Sequence, residues 1–328
     1  MYSIIFILLV SIVFYILYIK YKNKLEPYKS TLIDKLEKDT RPYLWFYTER
    51  DYNCREWSSF YSRLSTNNFP NCLSLSIKSI YKYCDKDYNI VHLTPDNIYN
   101  FLPDLELEIG PNSKTNILQK YQIISVSLME KYGGLWLPPW IIIFKPLTII
   151  LDKLITQSVV VFGSSTRYIG GIETSNDNIS IFASRPNISL WKELKDKLMV
   201  DNKIFFNNSY DFYNTGKCLF RKIGRHYLNI IYQFNSNYDG SRDYNGKLIT
   251  NNELFSINNI LLENPEKCLF IVYNYQQIYK SIYYRWFLRL SIPQILDSNI
   301  WISKLFRKSL LDSNKGNLNI YNTSTRNT

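Results

Sequence analysis

Residues 131–147 read KYGGLWLPPWIIIFKPL. Apolar residues ahead of this stretch fall at helical spacing, and Gly133–Gly134 breaks the pattern. Two short apolar runs then follow, separated by Pro138 and Pro139. This order predicts a helix, a turn built on glycine's freedom at positive φ, and then buried strands, as in α/β proteins that deliver backbone to a ligand. No acidic residue lies between Lys131 and Lys145, so the stretch offers a ligand no carboxylate.

Working upstream, Ile117, Tyr121, Ile124, Leu128 and Tyr132 recur at spacings of 4, 3, 4 and 4, which predicts an amphipathic helix stopped by Gly133. Gly110-Pro-Asn-Ser113 is its loop and cap. Pro42–Tyr47 and Tyr88–Leu93 read as strands, and Leu73, Ile77, Ile80 and Cys84 mark one face of a helix between them. Thr94-Pro95-Asp96 predicts another helix start, with a Thr cap and Pro at the first helical position. His92 reads as a packed strand residue. Downstream, Val159–Phe162, Ile179–Ala183 and Cys268–Tyr273 read as strands, Trp191, Leu194 and Leu198 as a helix, and Gln276–Leu310 as short helical pieces. Alternating strands and helices predict an α/β domain.

With 46% hydrophobic and 20% charged residues among 328, the chain can build a sizeable core. Its 28 tyrosines sit in a background rich in Asn, Ile and Lys and reflect composition more than 28 separate roles. The net charge of +11 favours polyanions, a membrane surface or sugar nucleotides. No basic cluster accompanies a nucleic-acid motif, so no nucleic-acid partner is expected. Five cysteines without C-x-x-C spacing, beside only His92 and His226, give no readable zinc site and suit a reducing compartment.

Residues 2–19 form an uncharged run of the length that spans a bilayer, followed at once by Lys20, Lys22 and Lys24. The expectation is a single-pass transmembrane helix over 1–19 with the body on the cytoplasmic side. A polar stalk over 20–40, the main domain over 41–311 and a disordered polar tail over 312–328 complete the division.

Leu44-Trp45-Phe46, Phe69-Pro70 through Ile80, Asp87–Val91, Asn100–Pro103, Lys131–Leu137 and Asn214-Thr215-Gly216 stand here in a recognisable order. In that order the chain resembles the DXD-containing sugar transferases of GT-A fold, in the branch typed by capsular polysaccharide synthesis proteins, over roughly 42–220. The resemblance implies a GT-A-like, Rossmann-like nucleotide-sugar-binding domain behind the transmembrane helix. It implies transfer of a sugar from a nucleotide-sugar to a glycan or polysaccharide acceptor. Its cleft would take in Trp45, Gln122, Ser125, Gly133, Gly134, Trp136, Pro138, Thr215 and Gly216.

Three positions depart from that family. Where it carries an Asp after the strand, to hold Mn²⁺ or Mg²⁺ on the diphosphate, this chain has Pro138. Where it carries an Asp and an Arg on the preceding helix, this chain has Gln122 and Ser125. Hard cations need anionic oxygen, which proline lacks, so no metal ligand is assigned and activity is expected to be reduced or lost. Asp152, Glu173, Asp177, Asp239 and Asp243 read as solvated loop or cap residues, and Lys145, Arg167 and Lys217 as exposed charges. Trp136 and Trp140 read equally as stacking platforms or as core. The alternative is a catalytically inactive binding or scaffold protein at a membrane, whose Arg285, Arg289, Arg307 and Lys308 lie among Trp286, Phe287, Leu288 and Trp301. They would face a membrane or a partner enzyme, or form the wet side of a packed helix.

Overall fold

Tyr43–Tyr47 (β1, YLWFY) is apolar at every position because both of its faces are covered, as in a central parallel strand. The computed structural model of the chain describes residues 40–49, 70–109, 117–169, 172–203, 220 and 222–311, apart from the side chains of 163–169, 172–180 and 200–203. All but Thr40 and Arg41 belong to the unit Pro42–Thr328. The transmembrane run, the stalk up to residue 39, the Thr215–Gly216 turn and the tail over 312–328 fall outside the described residues. Among the described residues no helix is long and apolar enough to cross a membrane.

The main sheet has six strands in the order β2-β1-β3-β6-β5-β7. These are β1, β2 (Asn89–Leu93), β3 (Gly134–Trp136), β5 (Val159–Ile169), β6 (Ile172–Ser184) and β7 (Ile231–Phe234). The pairs β1–β2, β1–β3 and β5–β7 are parallel, and β6 runs antiparallel to β3 and β5. The result is a mixed, mostly parallel, Rossmann-like α/β sheet. Helices α1 (Asn71–Cys84) and α3 (Ile117–Lys131) make the crossovers from β1 to β2 and from β2 back to β3. Right-handed crossovers running in opposite directions along the sheet, β1 to β2 and then β2 to β3, put their helices on opposite faces. The side chains agree. Leu44, Phe46 and Leu135 join Ile80 and Cys84 of α1 in one core, while Trp45 and Tyr47 point the other way, toward Phe101, Tyr121 and Tyr132.

After β3 the chain leaves this sheet. Pro138 and Pro139 have no N–H to give a ladder, and a residue before proline is confined to extended conformations. The proline pair therefore acts as a joint, after which β4 (Ile141–Ile143) pairs antiparallel with β8 (Phe270–Val272) in a separate ribbon. Ile141 and Ile143 face the main-sheet core, and Ile142 faces a second core. That second core is built from α1 and the C-terminal helices α7 (Asn251–Leu254), α8 (Tyr275–Lys280), α9 (Ile292–Asp297) and α10 (Trp301–Leu311). Lys82 and Tyr83 of α1 donate to the Ser309 carbonyl near the end of α10, which satisfies a carbonyl the helix cannot pair itself.

Two local expectations change. Thr94–Asn97 forms a turn, closed by Thr94 N–H to Asn97 Oδ1 at 2.8 Å, and α2 begins only at Ile98 and lasts one turn, to Phe101. Pro95 starts the turn and leaves the helix to Asn97 as cap. Glu173 and Asp177 lie within strand β6 and not in a loop, because the β5–β6 hairpin runs on far beyond its apolar base at Val159–Phe162. A polar two-stranded ribbon shows no hydrophobic alternation, which is the pattern that marks a strand in sequence.

Candidate functional site

Because the chain leaves β1 to one side through β2 and returns to the other side as β3, the sheet has a topological switch point between β1 and β3. In open α/β sheets ligands bind outside the carboxyl ends of the strands at such a point. Tyr47, Thr48 and Glu49 leave β1 there, Leu93 leaves β2, and Leu137–Pro139 leave β3. Backbone bonds from Thr48 N–H to Leu93 O and from Leu137 N–H to Trp45 O, each 3.0 Å, carry the ladder to its end. The first half of α3 packs over this edge, since the helix runs antiparallel to the strands.

Glu49 organises the edge. One of its oxygens accepts from Tyr47 Oη at 2.6 Å and pairs with Lys120 Nζ at 2.7 Å. Lys120 is 2% exposed. Burial, reinforced by the bond to Glu49 and its charge, pushes the Tyr47 phenol far up, so it stays a proton donor. Tyr121 donates to the Tyr47 carbonyl, and burial raises its phenol as well. Beside them Thr48 Oγ1 lies 2.6 Å from His92 Nε2, and His92 stacks on Phe46. Burial lowers the His92 pKa to about 4, so the imidazole is neutral near pH 7. The rings of Tyr121, Trp136 and Trp140 meet edge to face, and Trp140, half-buried, stacks against Tyr275 with 5.9 Å between centroids at 11°.

The residues named from sequence separate into two groups. Gln122, Ser125, Trp136 and Pro138 gather around α3 and the end of β3, all buried; Ser125 Oγ donates back to the Gln122 carbonyl at 2.9 Å. Gly133 and Gly134 sit at the opposite, amino-terminal side of β3, and the indole of Trp45, whose backbone pairs with Trp136, reaches back to them. Trp45 is fully buried against Phe101 and Tyr132, with its indole N–H given to the Gly133 carbonyl. Gly133 and Gly134 have φ of 64° and 98°. A Cβ on Gly133 would stand 2.6 Å from Ser184 O, and one on Gly134 would strike the Tyr43 carbonyl. The glycine pair therefore serves backbone packing between the helix end and the sheet. Thr215 and Gly216 are outside the described residues.

The sequence does not single out Glu49, Lys120, Tyr47 or Thr48, and it reads Tyr121 only as part of the helical stripe and His92 only as a packed strand residue. Lys120 did carry a signal, because it lies three residues after Ile117 and four before Ile124, inside the apolar stripe of α3. A charge on a buried stripe calls for a partner.

Among the described residues, the donor set at this edge does not fit a divalent ion. Pro138 and Pro139 have no side-chain oxygen, Glu49 is already neutralised by Lys120, and among the described residues no group of three His, Cys, Asp or Glu could hold a metal. Of the other acids, Asp239 differs from its sequence reading as a solvated residue. It is 5% exposed, accepts from Ser241 N–H at 2.9 Å at the end of α6 (Ser236–Asp239), and burial raises its pKa to about 6. Cys72, Cys84 and Cys268 are buried free thiols. What the switch-point edge offers a ligand is aromatic surface, amide and hydroxyl groups and backbone ends; its buried cation, Lys120, is taken up by Glu49.

The family described as capsular polysaccharide synthesis protein matches the chain over residues 15–284. No curated protein matches it significantly.

Proposed function

The chain belongs to the capsular polysaccharide synthesis protein family, and from that premise we propose that it is a glycosyltransferase-like protein of GT-A type. It binds a nucleotide-sugar at the carboxyl edge of β1 and β3 and acts toward a glycan or polysaccharide acceptor. The observation that carries this reading is the switch point itself, where the strand end of the family's helix-to-strand stretch, Trp136–Pro138, comes to the edge at which such sheets bind ligands.

In this reading Trp140, half-buried, supplies the surface for a base or sugar ring, while Trp136 is core beneath it. Charge on the diphosphate is met by backbone N–H groups at the strand ends, because Pro138 removes the carboxylate that would hold a divalent ion and Lys120 is buried in its pair with Glu49. Metal stabilisation of a leaving group is worth several kcal/mol, and about 1.4 kcal/mol is a factor of ten in rate. Transfer is therefore slow or absent, and the same observation favours a second reading, a catalytically inactive sugar-nucleotide-binding protein. Residues 2–19 would anchor either form in a membrane, with the body on the cytoplasmic side.

Thermal shifts with nucleoside diphosphates and a nucleotide-sugar panel, with and without Mn²⁺, test the binding. Stabilisation that does not depend on Mn²⁺ is the expected result. No stabilisation by any of these ligands would remove the sugar-nucleotide reading. Radiolabelled transfer and hydrolysis assays on the wild type and on Pro138→Asp then separate the two forms. Silence of both proteins leaves the binding protein, and turnover by either one establishes the transferase.

A further inference from the structure

The surface turn from Tyr279 to Arg289, far along the chain from the switch point, joins exposed apolar groups to exposed basic residues. Ile282 is 79% exposed, Tyr283 75%, Trp286 45% and Tyr279 37%. Single exposed apolar residues are ordinary, and Ile155 and Leu228 are of that kind, but four within eight residues form a patch. Lys280, Arg285 and Arg289 are exposed among them, and no acidic residue occurs from Lys267 to Leu296. Among the described residues no carboxylate pairs with any of the three.

The turn is held from below. Ile278, Phe287 and Leu288 are buried in the C-terminal core, and Tyr284 stacks on Phe255 at 4.7 Å. Arg285 Nε donates to the Tyr279 carbonyl at 2.9 Å. The exposed side chains are thus displayed on fixed backbone and cannot fold inward. Trp286 gives its indole N–H to the Tyr283 carbonyl at 2.8 Å, so its ring can leave water without stranding a donor.

We infer that this turn is a bilayer-contact surface: Ile282, Tyr283 and Trp286 enter the headgroup–acyl boundary while Lys280, Arg285 and Arg289 engage anionic lipid headgroups. Amphipathic aromatic rings with a basic rim are what the interfacial layer selects. An acidic protein partner is the other candidate, but a turn of eleven residues is small beside the roughly 20–30 residues a side of a stable protein interface. The inference needs neither sugar-nucleotide binding nor a transmembrane anchor.

The test uses the full chain with vesicles of phosphatidylcholine alone or mixed with phosphatidylglycerol, each with brominated acyl chains. Trp286 is the most exposed described tryptophan, and subtracting the signal of Trp286→Phe isolates its fluorescence. Quenching by brominated lipid on the anionic vesicles is expected, with loss of accessibility to aqueous acrylamide and a much weaker effect on phosphatidylcholine alone. The quenching should be lost in Ile282→Ser/Tyr283→Ser and in Lys280→Gln/Arg285→Gln/Arg289→Gln, all exposed positions whose folding is checked by circular dichroism. Flotation of the same samples reads the 2–19 run separately. A chain that floats, or fails to float, while Trp286 stays open to acrylamide and unquenched by lipid overturns the inference. Binding of an acidic protein at the turn without lipid quenching overturns it as well.

Discussion

The Trp45 indole N–H donates to the Gly133 carbonyl oxygen at 2.8 Å, tying the central strand to the turn that ends α3. Two residues that sequence order assigns to a ligand cleft therefore satisfy each other inside the protein. Trp45→Phe would keep most of the ring packing and strand a buried carbonyl. The expected cost is about 1–3 kcal/mol of folding stability, read from urea unfolding midpoints, with nucleotide affinity of the folded protein unchanged. A loss of affinity without loss of stability would return Trp45 to the ligand.

The glycines behave as packing elements by the same logic. Gly134→Ala must adopt φ near 98° and push against the Tyr43 carbonyl, and Gly133→Ala meets Ser184 O and Pro186 N at 2.6 Å. Left-handed strain and overpacking together put each at about 3 kcal/mol or more. Gly224 is the control. It has φ −57° and ψ −25°, and a Cβ there would meet only Ile231 Cδ1 at 3.6 Å. Gly224→Ala should be neutral or stabilise by about 0.4–1 kcal/mol. Denaturation of the three variants side by side is the measurement.

The helix 117–131 and strands β1 and β2 are legible in the sequence because their apolar residues fall at a helical spacing or in a short compact run, even though burial in the helix is unbroken from Gln119 to Met129. Ile117, Ile124 and Leu128 repeat at the helical period, and β1 is apolar throughout. The alternation that predicts an α/β domain is legible for the same reason. What periodicity does not carry is pairing across distance. Glu49 and Lys120 are separated by 71 positions, and nothing local in either segment names the other. The glycine pair was legible as a turn but not in its purpose, since a glycine needed for ligand access and one needed for Ser184 or Tyr43 look alike until the neighbour is known.

Lys120 and Glu49 should behave as a coupled pair. With Lys120 2% exposed and the Glu49 side chain 14%, Lys120→Met leaves a carboxylate in a largely dry site, at a cost of about 3–5 kcal/mol. Glu49→Gln together with Lys120→Met removes both charges and should recover much of that loss. A double-mutant cycle by chemical denaturation should give a coupling of about 1–3 kcal/mol. Additive single effects would mean that the pair contributes nothing specific.

Trp140 is where binding and stability should part. It is half-buried, stacked on Tyr275, and stands just past the proline joint. Trp140→Ala should weaken nucleotide-sugar binding by about tenfold, the scale of one aromatic stacking contact at roughly 0.5–1.5 kcal/mol. Calorimetry on protein confirmed as folded reads this, and unchanged affinity would take Trp140 out of the proposed site.

His92 and Asp239 give stability opposite slopes with pH. Burial lowers the His92 pKa from 6.5 to about 4 in the folded chain. Between those values the unfolded chain holds more protons, so this contribution is complete above pH 6.5 and is lost as pH falls toward 4. Asp239 is raised from 3.8 to about 6, chiefly by burial and against the opposing effects of Ser241 and Arg242. Here the folded chain holds the extra proton, so stability from this group is present below pH 3.8 and is lost as pH rises toward 6. Each contribution reaches at most about 3 kcal/mol, and over pH 4–6 they oppose one another. Relative to wild type, His92→Gln should therefore lose stability more steeply as pH rises through that window, and Asp239→Asn should gain it. Urea midpoints at pH 4, 5, 6 and 7 measure both slopes, and variants that keep the wild-type slope would mean that neither group titrates as its burial dictates.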